Sequence, residues 1–124
     1  MKELETILEE IKSGKILGEE MFFESDLDSV LDIRDEPEFE ERWMKVYENI
    51  KGEFKAENFT PEQLSLVESL RKESFLAVSK SSGQHEISSY ISDDFELIGK
   101  AALLNRRFEF LDQMLEKYRN GGLI

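Results

Sequence analysis

The chain has 124 residues and no cysteine, and its 28 acidic side chains outnumber 16 basic ones, for a formal net charge of −12. This length is typical of one domain, predicted here over residues 1–124, and it suffices for a hydrophobic core. The lack of cysteine excludes disulfides, thiol catalysis and zinc sites with cysteine ligands. The acidic N-terminal residues contain no apolar signal segment, and the longest apolar runs, such as residues 75–78, have only four residues. We therefore expect a cytoplasmic protein that does not enter a membrane.

Apolar side chains recur every three or four residues along most of the chain, which indicates helices with one buried face. The first helix carries Leu4, Ile7, Leu8 and Ile11. Gly14 offers this helix a left-handed C-terminal cap. Residues 15–24 fit either a turn with a short strand or a helical turn. Ser25 is the predicted N-cap of a short acidic helix that follows.

Two longer helices are predicted next. The first begins at Pro37, which suits a first helical position, and we expect Gly52 to end it and residues 53–59 to form a loop. Its apolar face carries Phe39, Trp43, Val46, Tyr47 and Ile50. The second begins after Thr60, because Thr60 and Gln63 have the spacing of a capping box. Gly83 marks its end.

In the last part of the chain, the apolar spacing predicts a helical stripe from Ile87 to Ala102. We expect a break at Ser92, after which Asp93 and Asp94 lie in the first turn of a new helix. Asn105 is the predicted terminator, and a final helix follows over residues 108–118. Together these patterns predict an all-α bundle of about five or six helices with orthogonal packing. A short irregular or strand segment near residues 15–24 would leave that class unchanged.

Negative charge is concentrated in residues 19–41, which we call the acidic segment. It holds eleven acids and one base, Arg34, so that ten of the twelve net charges fall there. A field this concentrated repels nucleic acid and anionic membranes, and it attracts a basic protein or a cation. The alternative is that the acidic segment is only a solvated face of a structural or adaptor domain with no binding or catalytic site.

We predict that the acidic segment binds a basic protein partner through charge complementarity. The acids expected to contact the partner are Glu24, Asp26, Asp28, Asp32, Asp35, Glu36, Glu38 and Glu41. Trp43 and Tyr47 lie one helical turn apart beside these acids and are predicted to be apolar anchors inside a charged rim.

In size and charge, though in no motif, the chain resembles the immunity proteins that neutralise bacterial nuclease toxins. The resemblance implies a non-enzymatic inhibitor whose carboxylates compete for the positive cleft of a nuclease. Because the resemblance rests on size and charge alone, it assigns a functional role to no individual residue of this chain.

Motifs for catalysis or cofactor binding are weak. His85 is the single histidine and stands in a predicted polar loop. Asp26, Asp28 and Asp32 have the spacing of a calcium-loop opening, but Val30 and Leu31 occupy the positions that need a ligand and a glycine. Neither a dinucleotide-binding nor a Walker-type glycine motif occurs. We therefore predict no enzyme, no metal and no cofactor.

One enzymatic alternative is a magnesium-dependent helical nucleotide hydrolase, of the kind that holds magnesium with paired acidic motifs. Glu38 with Glu41, and Glu109 with Asp112, are spaced to place two carboxylates on one helix face. In a chain with 28 acids such pairs also arise by chance.

Overall fold

The computed structural model describes residues 2–19, 22 and 26–121. Within these residues the chain forms six helices and no strand. They are α1 (Lys2–Lys12), α2 (Leu27–Arg34), α3 (Pro37–Ala56), α4 (Pro61–Ser82), α5 (His85–Leu103) and α6 (Glu109–Arg119). The predicted all-α class is confirmed. None of the described helices is long and apolar enough to cross a membrane.

Helix α5 is at the centre of the bundle, where it packs against α1, α3, α4 and α6 and most extensively against α4. Ten of its nineteen residues are buried, as the long apolar stripe predicts. Gly99 permits the close approach of α4 and α1, because a Cβ at this position would lie 3.1 Å from Leu70 Cδ1 and 3.6 Å from Leu4 Cδ2. The other helices complete one hydrophobic core around α5.

The capping box at the start of α4 is confirmed. The Thr60 hydroxyl accepts a hydrogen bond from the Gln63 backbone N–H at 3.1 Å, and the Gln63 side-chain oxygen accepts one from the Thr60 N–H at 2.9 Å. Gly83 ends the helix in the left-handed conformation, with φ of +71°. Both signals depend only on residues close together in sequence, so they define the ends of α4 without contacts from the rest of the chain.

The predicted end of α3 at Gly52 is wrong, since the helix continues to Ala56. A glycine inside a helix costs only about 1 kcal/mol relative to alanine. The last turn of α3 gains contacts that offset this cost. The Phe54 ring stacks on Phe59 with centroids 4.5 Å apart, and the Lys100 ammonium lies 5.0 Å from the Phe54 centroid.

The predicted break at Ser92 is also wrong, because α5 continues unbroken through this position. Ser92 is buried, and its hydroxyl donates to the Ser89 carbonyl oxygen at 2.9 Å. Asp94, expected in the first turn of a new helix, instead lies inside α5 and is 0% exposed. The partners that stabilise this buried carboxylate are described below.

The segment between α1 and α2 is described only in part. Residues 13–17 form a turn followed by a bend, in which Ile16 and Leu17 are buried in the core and Leu17 has a φ of +59°. Ser25, the predicted N-cap, lies outside the described residues, as does Glu24. The N-cap of α2 is instead Asp26.

Candidate functional site

The buried Asp94 carboxylate accepts hydrogen bonds from three side chains. Arg34 binds it with both terminal nitrogens, Nη1 to Oδ2 at 2.8 Å and Nη2 to Oδ1 at 2.7 Å. The Trp43 indole N–H donates to Oδ1 at 2.9 Å, and the Tyr118 hydroxyl donates to Oδ2 at 2.6 Å. One carboxylate therefore links α2, α3 and α6 to the central helix. A buried charge is tolerated when it is paired and hydrogen-bonded in this way.

The Arg34 guanidinium lies between two aromatic rings, with its central carbon 5.1 Å from the centroids of both Phe39 and Tyr90. Nη2 is also 3.4 Å from the Tyr90 carbonyl oxygen. Within the described residues, Nε is buried and has no acceptor. Arg34 is only 7% exposed, so its positive charge is directed into the fold.

Two pKa shifts follow from this burial. Burial alone would lower the pKa of Arg34, but the hydrogen bonds and attraction of Asp94 outweigh it, and the pKa of the guanidinium is raised. Burial, followed by the charge of Asp94, raises the pKa of Tyr118 well above its usual value. Both groups therefore keep their protons at neutral pH.

The acids between Asp26 and Glu41 form what we call the acidic surface. All eight are exposed, and among the described residues none of them forms an ion pair. They are Asp26, Asp28, Asp32, Asp35, Glu36, Glu38, Glu40 and Glu41. Seven of them are predicted contact residues, Glu40 being the addition, whereas the predicted Glu24 lies outside the described residues. Arg34, the one base within this stretch, is bound to Asp94 and does not neutralise them.

Asp26 has a structural role within the acidic surface. Its carboxylate accepts hydrogen bonds from the Ser29 backbone N–H at 3.2 Å and from the Ser29 hydroxyl at 2.9 Å. The side-chain hydrogen bond, followed by the backbone one, lowers the pKa of Asp26. This residue therefore caps α2, the helix that carries Asp28 and Asp32.

Trp43 and Tyr47, the predicted apolar anchors, are both half-buried, and their rings stack with centroids 5.6 Å apart. Trp43 shares a surface cleft with Asp35 and Glu40 of the acidic surface. The structure thus places the predicted anchor Trp43 in the same cleft as one predicted acid, Asp35, and as Glu40, which was not predicted. The indole N–H already donates to Asp94, so Trp43 has no hydrogen-bond donor left in its side chain and can offer a partner only contact with its ring.

Sequence reasoning missed the pairing of Arg34 with Asp94, although two signals for it were present. Arg34 is the single base of the acidic segment. Asp94 follows Ile87 and Ile91 by seven and three residues, which is the spacing of the buried face of α5. An acid on a buried face needs a basic partner, and a base isolated among acids is a candidate for that role.

The paired acids of the hydrolase alternative lie on neighbouring helices. Glu38 and Glu41 are on α3, and Glu109 and Asp112 are on α6, which packs against α3. Asp112 forms an ion pair with Arg107 at 3.4 Å. Within the described residues, no three His, Cys, Asp or Glu side chains are grouped so that they could hold a metal ion.

The chain is similar to a known protein family over most of its length. No curated protein matches the chain. A family model described as immunity protein PIM1 matches residues 6–123, which is nearly the whole chain. The match includes all six helices and the acidic surface, although α1 is covered only from residue 6 onward. The chain therefore belongs to the immunity protein PIM1 family.

Proposed function

We propose that this protein is a non-enzymatic inhibitor that binds a cationic, nuclease-like toxin through its acidic surface. The family membership supports an immunity-type role in binding a protein. The charge of the chain supports the choice of a basic partner. The contact residues proposed are the seven predicted acids from Asp26 to Glu41, with Trp43 and Tyr47 as apolar anchors, and Glu40 is added to them.

One observation carries the proposal: eight exposed carboxylates lie close together in the chain, and among the described residues no lysine or arginine pairs with them. Arg34 could have neutralised part of this charge but is bound to Asp94 instead. Unpaired surface carboxylates repel each other, and a cationic partner relieves that repulsion. They also accelerate association by electrostatic steering.

A nuclease is a suitable partner on physical grounds. Its cleft must be positive, because its substrate is a polyanion. Carboxylates on a rigid helical surface can occupy the same field as the phosphates would. Blocking access in this way requires no catalytic group on the inhibitor.

The test separates the position of the charge from its total. A first variant neutralises six acids of the acidic surface by changing Asp to Asn and Glu to Gln at Asp28, Asp32, Asp35, Glu36, Glu38 and Glu41. A control variant changes six exposed acids elsewhere to Gln, at Glu5, Glu9, Glu48, Glu57, Glu68 and Glu116. Both variants have a net charge of −6, since −12 plus 6 is −6. Asp26 is left intact because it caps α2.

Affinity is then measured for the purified product of the neighbouring gene, because toxins and their inhibitors are usually encoded together, at ~50 and ~500 mM salt. We expect the first variant to bind at least about tenfold more weakly than the control variant, a difference of about 1.4 kcal/mol. Wild-type binding should weaken steeply with salt, because the screening length falls well below about 10 Å. Equal losses in both variants, or salt-independent binding, would contradict the proposal.

A further inference from the structure

A cleft of about 210 Å³ opens beside the buried Arg34–Asp94 pair, where the start of α3 faces α5. Its aromatic lining comes from Phe39, Trp43 and Tyr90. Met44, which is 40% exposed, adds an apolar side chain to the lining. Pockets for drug-sized ligands are typically about 300–1,000 Å³. The cleft is therefore closer in size to a single long side chain than to a cofactor.

Carboxylates also line this aromatic cleft. Asp35 and Glu40 reach it from the acidic surface, and Asp93 reaches it from α5. Asp93 has a partner, Arg71, at 3.7 Å, but the Arg71 and Asp93 side chains are 49% and 44% exposed, and ion pairs this open to solvent are weak. Burial raises the pKa of Asp93, which is consistent with its position at the edge of the cleft.

The one cation that lines the cleft does not balance these carboxylates, because the charge of Arg34 is matched by Asp94. Three carboxylates therefore give the cleft its negative charge, and of these Asp35 and Glu40 form no ion pair among the described residues, whereas Asp93 has the weak partner Arg71. This excess disfavours an anionic occupant and favours a cation. Phe39 and Tyr90 already have the Arg34 guanidinium 5.1 Å from their centroids, so Trp43 is the ring that can add a further attraction for a cation within about 6 Å.

We propose that this cleft receives an arginine side chain of the partner, and this inference rests on the proposed function. A planar guanidinium can stack on an aromatic face and bind carboxylates with two parallel hydrogen bonds, which an ammonium cannot do. The fold already uses this chemistry next to the cleft, where the Arg34 guanidinium lies 5.1 Å from the Phe39 and Tyr90 centroids. The cleft thus supplies the apolar and directional part of recognition, and the acidic surface supplies the long-range attraction.

The probe for a direct test is N-acetyl-arginine amide, which has one positive charge and no free termini. Trp43 is the only tryptophan, so its indole N–H resonance and its fluorescence report on the cleft alone. We expect a saturable shift of the Trp43 signals on titration. The citrulline analogue has nearly the same shape but no charge, and it should bind at least tenfold more weakly. The lysine analogue should bind at least threefold more weakly than the arginine analogue.

Two variants that each remove one negative charge test whether the arginine analogue binds in the cleft. Glu40→Gln removes a carboxylate that lines the cleft, whereas Glu48→Gln removes an exposed one from the same helix that lies outside both the cleft and the acidic surface. We expect Glu40→Gln to weaken binding of the arginine analogue at least fivefold and Glu48→Gln less than twofold. Equal effects of the two variants, equal binding of citrulline or lysine, or no shift of Trp43 would overturn the inference. The proposed function would survive these results if the toxin still bound in a salt-dependent manner, so the two failures can be distinguished.

Discussion

Arg34 and Asp94 are 60 residues apart in sequence, yet they form a two-pronged ion pair with nitrogen–oxygen distances of 2.7 and 2.8 Å. The pair links the short helix α2 to the central helix α5. It also withdraws the single base of the acidic segment from the surface. This one interaction therefore anchors α2 and leaves the carboxylates of the acidic segment without neutralisation by Arg34.

Breaking this pair should destabilise the protein strongly. Asp94→Asn keeps the shape of the side chain but leaves the Arg34 cation buried without its counter-charge. Removing one partner of a buried ion pair typically costs about 3–5 kcal/mol. We expect a loss of that size in the free energy of unfolding, measured with urea.

The adjacent Asp93→Asn variant is the matched control, since the Asp93 side chain is 44% exposed. Surface substitutions usually change stability by less than about 0.5 kcal/mol. If the two variants lost similar stability, the buried pair would not have the anchoring role that its geometry indicates.

The pH dependence of stability should depend on Tyr118. Burial and the charge of Asp94 raise the pKa of its hydroxyl well above 10, the value expected in the unfolded chain. Below about pH 10 both states keep the proton, and the contribution of Tyr118 is complete. At higher pH the unfolded state loses its proton first, so the free energy of unfolding falls, by at most about 1.4 kcal/mol per pH unit.

Urea unfolding between pH 8 and 11 checks this expectation against Tyr118→Phe. The variant should be less stable at pH 8 by about 1–3 kcal/mol, because the hydrogen bond to a charged carboxylate is lost. Its stability should then fall less steeply above pH 10. Some slope will remain, since burial also raises the pKa of Tyr90. Identical slopes would show that Tyr118 is as free to ionise in the folded protein as in the unfolded chain.

Two helical glycines should respond in opposite directions to a larger side chain. A Cβ at Gly52 would meet nothing within 4 Å apart from its chain neighbours and the backbone of its own helix, so Gly52→Ala should stabilise the protein by about 0.5–1 kcal/mol through helix propensity. Gly99→Val places a branched side chain against Leu70 and Val67, and overpacking of this kind typically costs about 1–3 kcal/mol. Thermal unfolding of both variants tests the difference. A stabilising Gly99→Val would mean that α4 and α5 can separate without cost.

Local signals made much of the fold predictable. The capping box of Thr60 and Gln63 requires only four consecutive residues, and the apolar periodicity of α1, α4 and α6 requires only one buried face. Gly52 was misleading because its helical penalty is small beside contacts with residues farther along the chain. Ser92 was misleading because Asp94, two residues later, is bound by Arg34 and Tyr118, which lie far away in the sequence and outweigh the local preference for a helix start.

In the candidate site too, features set by local sequence could be predicted and features set by distant contacts could not. The exposure of the acidic surface could be predicted, because charged side chains remain in water unless they are paired. The burial of Arg34 could not be predicted from its own neighbours, since it depends on Asp94, Phe39 and Tyr90. The cleft is likewise formed by residues from α2, α3 and α5 that no local motif brings together.

Salt should stabilise the free protein, because among the described residues no base pairs with the exposed carboxylates of the acidic surface. Raising the ionic strength from ~10 to ~150 mM shortens the screening length from about 30 to about 8 Å and weakens their mutual repulsion. We expect the melting temperature of the wild type to rise over this range. The six-acid variant of the acidic surface should show a smaller rise than the control variant, although the two have equal net charge. A flat or falling melting temperature in the wild type would mean that these carboxylates are already compensated within the fold, and the same measurement would then remove the main support for a cationic partner.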